Sequence, residues 1–194
     1  MNILKYIVVF NFLIISEIIC QNFTITAYLG SNRTSISNIL LKNRSQFYTN
    51  PEFGVLLGVK VDYLVTSRMK FVSGLGISNR VFSEKARYPG QPKYYERMYF
   101  VEIPMMLRLP LKKKFYTNFG LVHSYKFAGD THFYWDNQNE ILYGLDLQIL
   151  CGYKLNKKFG IEAGALYGSL LDHALGRLNF TNFVGSLCLT YKLK

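Results

Sequence analysis

The side chains that could carry chemistry are few. His123-Ser124 is the only adjacent His/Ser pair on a strand-like segment. A hydroxyl nucleophile needs its base within hydrogen-bond reach, and neighbours on a strand point to opposite faces, so these two cannot pair directly. Asp172-His173 offers an acid–base couple in a long connection, where without a pocket it reads as solvated loop. Glu102 and Glu162 read as ion-pair partners, not as paired catalytic carboxylates. Gly74-Leu75-Gly76 is not followed by a helical pattern, which excludes a nucleotide-binding loop. No Cys/His spacing resembles a metal site. The sequence therefore predicts no catalytic residue, no cofactor and no metal, and the chain is expected not to be an enzyme.

The elements that would position these groups are strands. Tyr, Phe, Val, Ile and Thr are abundant, and period-2 alternation runs through nearly the whole chain after Gln21. The clearest case is Tyr99 to Leu109. Tyr99, Val101, Ile103, Met105, Leu107 and Leu109 share one face, and both charges, Glu102 and Arg108, lie on the other. The same parity holds for Phe53 to Val65, Ile141 to Leu155, Phe159 to Tyr167 and Phe183 to Leu193. It is weaker for Phe23 to Gly30, Met69 to Phe82 and Phe115 to Phe127. These segments predict about eight strands, most near the ~10 residues of a tilted membrane strand.

Connection lengths carry a second signal. Thr66 to Arg68, Pro110 to Lys114 and Asn156 to Lys158 are short, while Ser31 to Asn50, Ser83 to Arg97, Ala128 to Glu140 and Ser169 to Thr181 are long. An up-and-down barrel in an outer membrane has this asymmetry, with short periplasmic turns and long external loops. A soluble barrel would alternate inside out, with its apolar face in the cavity. Two features favour lipid: a polar face rich in Gly, which suits a narrow filled interior, and aromatics collected near strand ends, where interfacial girdles sit. The fold class expected is all-β: an eight-stranded antiparallel up-and-down transmembrane β-barrel, with both termini periplasmic.

The N-terminus differs in kind. Lys5 precedes an apolar run from Tyr6 to Ile15, and Ser16 to Cys20 leads to Gln21. This reads as a secretory signal peptide over 1–20, cleaved before Gln21, with the barrel domain over 21–194. Cys20 either leaves with the leader or carries lipid. Cys151 and Cys188 fall on opposite faces of their strands, which disfavours a disulfide. The net charge is +11, and Lys5 and Glu17 cancel within the leader. Export directs that charge to phosphate-bearing lipid headgroups and not to nucleic acid.

In such a barrel the inward face holds Lys60, Asp62, Lys70, Arg80, Glu102, Arg108, Lys126, Asp146, Lys154, Glu162 and Lys192. Both signs are present, so a lumen charge network and a plugged core are expected. Basic residues placed in the external loops (Arg33, Lys42, Arg44, Lys85, Arg87, Lys93, Arg97, Arg177) suit lipopolysaccharide phosphates. Lys112 to Lys114 and Lys157-Lys158 suit the inner leaflet. Tyr134-Trp135 is a candidate partner contact.

The stretch Tyr99-Phe100-Val101-Glu102-Ile103-Pro104-Met105-Met106-Leu107 resembles the central strand of the outer-membrane β-barrel family of Bacteroidota often labelled PorT-like. Gln21 at the presumed mature start, Gly152-Tyr153 before a basic turn, and the ending Tyr191-Lys192-Leu193-Lys194 add to the likeness. The resemblance implies an outer-membrane barrel of OmpA-like size. One member type is linked to a secretion and gliding apparatus, which makes an accessory subunit of such a machine an alternative role. No residue carries that role over. A non-enzymatic structural or interaction barrel is the leading expectation, with outer-membrane lipid, lipopolysaccharide and possible envelope proteins as partners. A lipid-modifying enzyme and a small pore are the lesser alternatives.

Overall fold

The computed structural model describes residues 23–37, 49–84, 95–130, 142–172 and 178–194. The expected signal segment, Tyr134, Trp135 and His173 lie outside them. Eight strands follow in chain order: β1 Phe23–Ser37, β2 Thr49–Leu64, β3 Lys70–Glu84, β4 Tyr95–Pro110, β5 Phe115–Asp130, β6 Leu142–Lys154, β7 Phe159–Asp172 and β8 Leu178–Lys192. Each pairs antiparallel with its neighbour, and β8 returns to β1 to close the barrel. The closing ladder runs from Thr26↔Lys192 to Ser37↔Thr181, so no strand in the sheet is left with a bare edge.

Alternation explains which face goes where. In β6 the outward set Leu145, Leu147 and Ile149 is exposed, while Gly144, Asp146 and Leu150 are buried. Exposed apolar side chains cover the wall: Leu57, Val59, Leu75, Ile77, Leu121, Leu187 and Leu189 are each more than 40 % accessible. An apolar belt of this extent is costly in water and is the surface that hydrocarbon solvates. Aromatic pairs rim the belt. Phe115 meets Tyr153 (4.7 Å between ring centres) and Phe159 meets Tyr191 (5.0 Å) at the short-turn end; Tyr125 meets Tyr143 (4.8 Å) at the other. Tyr143 and Tyr153 lie on one strand. Ten residues at ~3.4 Å each, tilted by roughly 40°, span about 25 Å, the height of an outer-membrane apolar band.

The strands are longer than apolar alternation alone indicates. β1 continues past Gly30 to Ser37, and β7 and β8 run to Asp172 and from Leu178, so that only 173–177 separate them. The long connection expected over Ser169 to Thr181 is therefore mostly strand. Arg33 and Arg97, expected in loops, lie on β1 and β4. The reason is that a ladder needs only backbone partners: beyond the apolar band the wall meets water, and Ser, Asn and Arg continue it. Alternation breaks at Val81, Phe82 and Ser83, all buried, opposite the irregularity of β2 between Pro51 and Leu56. Pro104 sits where the β3–β4 register skips from Ser73↔Met105 to Gly76↔Glu102, a gap suited to a residue with no N–H to donate.

Leu147 lies midway between the two aromatic rims and Phe115 lies in one of them. Leu147→Arg is expected to cost about 2–4 kcal/mol and Phe115→Arg about 0–1 kcal/mol. Denaturant unfolding from phospholipid vesicles measures both; equal small costs would mean that both positions face water.

Candidate functional site

The interior is narrow, and its glycines make room for the larger side chains that cross it. A Cβ on Gly152 would fall 2.1 Å from the Tyr116 ring, and one on Gly76 would fall 2.1 Å from the Tyr28 hydroxyl. At Gly76 and Gly152 the missing side chain is thus the imprint of a tyrosine lying against the wall.

Charged groups occupy the space that remains, and among the described residues two clusters of them cross the interior. In the first, Glu162 of β7 is 1 % exposed. Its Oε2 accepts from Lys60 Nζ at 2.5 Å, and its Oε1 accepts from Arg108 Nη2 (3.1 Å), the Tyr116 hydroxyl (3.0 Å) and Asn118 Nδ2 (3.1 Å). Arg108 also donates to Asp62 through Nη1 and to Asn118 Oδ1 at 2.7 Å, and its guanidinium lies 4.4 Å from the Tyr116 ring centre. One carboxylate and one guanidinium thus tie β2, β4, β5 and β7 together across the lumen.

The second cluster centres on Arg80 of β3, which is fully buried. Its Nη2 donates to Glu102 Oε1 (2.7 Å), Ser124 Oγ (3.0 Å) and Asp146 Oδ2 (3.4 Å), and its guanidinium lies 4.3 Å from the Phe100 ring centre. Ser78 and Ser124 donate to Glu102 and Asp146, and Asn182 Nδ2 reaches Asp146 Oδ1 at 3.5 Å. Two apolar trios, Val72–Met106–Leu150 and Val122–Leu166–Val184, pack in the same interior. Removing a guanidinium from water costs several kcal/mol, which only such multiple pairing offsets.

Of the eleven inward charges read from the sequence, the structure brings seven into these clusters: Lys60, Asp62, Arg80, Glu102, Arg108, Asp146 and Glu162. Lys70, Lys154 and Lys192 stand instead at the mouth of the short-turn end, around a cavity of about 450 Å³. Lys126 is half-buried on the inward face of β5. Tyr116 and the buried Glu96 were not among the residues singled out by sequence. Tyr116 shares the parity of Asn118 and Gly120, which was the available signal; Glu96 precedes the apolar part of β4, where parity had nothing to mark it.

The would-be catalytic pair is divided by the wall. Ser124 points inward to Arg80 and Asp146, while His123 points outward and its Nδ1 is hydrogen-bonded to the Tyr143 hydroxyl. Cys151 is exposed and Cys188 buried, and both are free thiols.

Glu162→Gln keeps the shape and removes the charge that faces Lys60 and Arg108. It is expected to cost about 3–5 kcal/mol. Adding Lys60→Met should return part of that loss, because one uncompensated cation then disappears. Urea unfolding of wild type, both single variants and the double variant closes the cycle; strict additivity would show that the pair is not coupled.

No curated protein matches this chain by sequence. Solved structures share its fold. Neisserial surface protein A is 10 % identical with a TM-score of 0.58, covering 89 % of this chain and 100 % of its own. The outer membrane protein OprG from Pseudomonas aeruginosa is 14 % identical with a TM-score of 0.51, covering 89 % and 96 %. Ail, the attachment invasion locus protein of Yersinia pestis, solved with the heparin analogue sucrose octasulfate, is 11 % identical with a TM-score of 0.51, covering 89 % and 100 %. A family model described as an outer membrane protein beta-barrel domain matches residues 19–172. With the closed eight-stranded sheet, its apolar belt and its aromatic rims already in place, that match makes the chain a member of the outer membrane protein β-barrel domain family.

Proposed function

We propose that this outer-membrane barrel is non-enzymatic, that its lumen is closed by its own side chains, and that its role is structural or interactive, exercised at its two ends. The observation that carries the reading is the pair of ion clusters spanning the interior through Arg80 and Arg108. A path for solutes would have to part each guanidinium from two carboxylates, and breaking one buried pair costs about 3–5 kcal/mol. The division of His123 from Ser124 supports the absence of chemistry at that pair.

The three longest connections, 38–48, 85–94 and 131–141, leave from one end, which supports that end as the external one and both termini as periplasmic. Exposed Arg33 and Arg97 at that end suit lipopolysaccharide phosphates, and Tyr134 and Trp135 suit contact with an envelope protein. The likeness of Tyr99 to Leu107 to PorT-like barrels of Bacteroidota supports a second reading, an accessory subunit of an envelope machine. Mild-detergent extraction with mass spectrometry separates the two: stable co-purifying proteins favour the subunit, and the barrel alone removes it.

The closed-lumen reading is tested by single-channel recording in planar bilayers. The wild type is expected to give no resolved current steps, and Arg80→Ala combined with Arg108→Ala is expected to give them. Regular steps from the wild type would overturn the closed lumen.

A further inference from the structure

We infer that the mouth at the short-turn end is a binding site for a compact phosphate-bearing solute. The cavity there, about 450 Å³, lies between the β2–β3 turn, the β6–β7 turn and β8, and among the described residues seven cationic side chains and one carboxylate line it. The carboxylate is Asp62, bonded to Arg108; these two form the floor, and Arg108 is further held by Glu162. The other six are Arg68, Lys70, Lys154, Lys157, Lys158 and Lys192. Among the described residues none of the six is in an ion pair.

Cationic donors far outnumber acceptors in the arrangement: against these cations the lining sets one carboxylate, Asp62, whose Oδ2 is taken by Arg108. The six cations come from three strands and two turns and converge on one concavity, interleaved with the hydroxyls of Thr24, Thr26 and Thr190. A concave site with one sign of charge and low-dielectric walls concentrates its field on the space it encloses. The chemistry that satisfies several ammonium groups, a guanidinium and hydroxyls at once is an anion with many oxygen acceptors, such as a pyrophosphate or a phosphorylated sugar. The volume lies in the lower part of the ~300–1,000 Å³ range of small-ligand sites, and the ionic floor stops a polymer from threading. The turn between β4 and β5 supplies the contrast: Lys112, Lys113 and Lys114 are as exposed and as basic, yet none lines the cavity, and Lys114 leans over the Tyr153 ring at 5.7 Å.

Two sources could present such a phosphate, a soluble solute or the headgroup of an anionic lipid. The cavity lies inside the closed sheet, whereas lipid meets its outer wall, so the geometry favours the soluble source. The inference is independent of the closed lumen above, because a conducting barrel would keep the same mouth.

The test is titration of full-length protein with inorganic pyrophosphate in phosphatidylcholine nanodiscs, followed by calorimetry and by phosphorus NMR. Binding is expected, and a triple variant Lys154→Gln, Lys157→Gln, Lys192→Gln should weaken it at least tenfold. The matched triple Lys112→Gln, Lys113→Gln, Lys114→Gln removes the same charge outside the cavity and should change affinity less than twofold. All six positions are exposed, and heat-dependent gel mobility verifies that each variant remains a folded barrel. No binding to the wild type, or equal weakening by the two triples, overturns the site. Nanodiscs containing phosphatidylglycerol then identify the source: undiminished pyrophosphate binding assigns a soluble ligand, and competition overturns that assignment in favour of a lipid headgroup.

Discussion

A sheet in hydrocarbon cannot leave an edge, because an unpaired backbone N–H or C=O there costs several kcal/mol with no water to meet it. The β8–β1 ladder satisfies that requirement, and the remaining features are consequences of it. Closing eight strands fixes a lumen about as wide as the side chains that fill it. The outer face must be apolar over the thickness of the band, so the charged side chains between the rims are driven to the inner face, while the polar His123 stays outward on a hydrogen bond to the Tyr143 hydroxyl. Because that face is narrow, those polar groups meet one another and not bulk water. The two ion clusters follow from closure plus alternation before any selection for function is considered.

What the clusters add is uniqueness. A strand slipped by one residue exchanges its lipid face for its lumen face, and the apolar belt already opposes that. A slip by two residues preserves parity and is opposed only by specific partners. Here Glu162 needs Lys60, Arg108, Tyr116 and Asn118, and Arg80 needs Glu102, Ser124 and Asp146. Displacing any strand from β2 to β7 by two residues leaves a buried charge short of its partners. Tyr116 over Gly152 and Tyr28 over Gly76 work in the same direction by shape, since only glycine leaves room at those positions. Buried ion pairs contribute little net stability compared with well-packed apolar groups, so their effect lies in excluding the wrong register.

Parity made most of this legible in the sequence. Tyr99 to Leu109 could be divided into faces because one face meets lipid and the other does not, a difference written in residue type. Four things were not written there. The ends of the strands lie in water, where β1 runs on through Asn32, Arg33 and Thr34 with no change of composition to mark it. The approach of β7 to β8 across 173–177 depends on that same unmarked extension. The irregularities at Pro51–Leu56 and Tyr99/Phe100 shift register by one residue and break the burial alternation beside them, at Val81, Phe82 and Ser83, all buried, and at Phe127, Ala128 and Gly129, all exposed, with no residue type to mark the break. Which cation meets which carboxylate depends on stagger around the barrel: parity puts Lys60 and Glu162 on one face, but only the closed geometry brings them to 2.5 Å.

Depth along the lumen axis then separates two kinds of charge that sequence treats alike. Below the floor formed by Asp62 and Arg108 every cation of the two clusters has a carboxylate, because a lone buried charge would be too costly. Above it Lys154 and Lys192 are exposed and unpaired. Water permits this: two unit charges ~10 Å apart at the dielectric of water repel by only about 0.4 kcal/mol, and salt reduces it further. The mouth can therefore hold its cations at small cost to the fold. An anion brought to about 4 Å of several of them, against a wall that excludes part of the water, gains about 1 kcal/mol per contact at the dielectric of water and up to about 4 kcal/mol at an effective value near 20. The asymmetry between weak repulsion at long range and stronger attraction at short range makes an open basic mouth inexpensive to keep and effective at retaining a multivalent anion. The same reasoning gives no such property to the interior clusters, whose charges are already spent on one another.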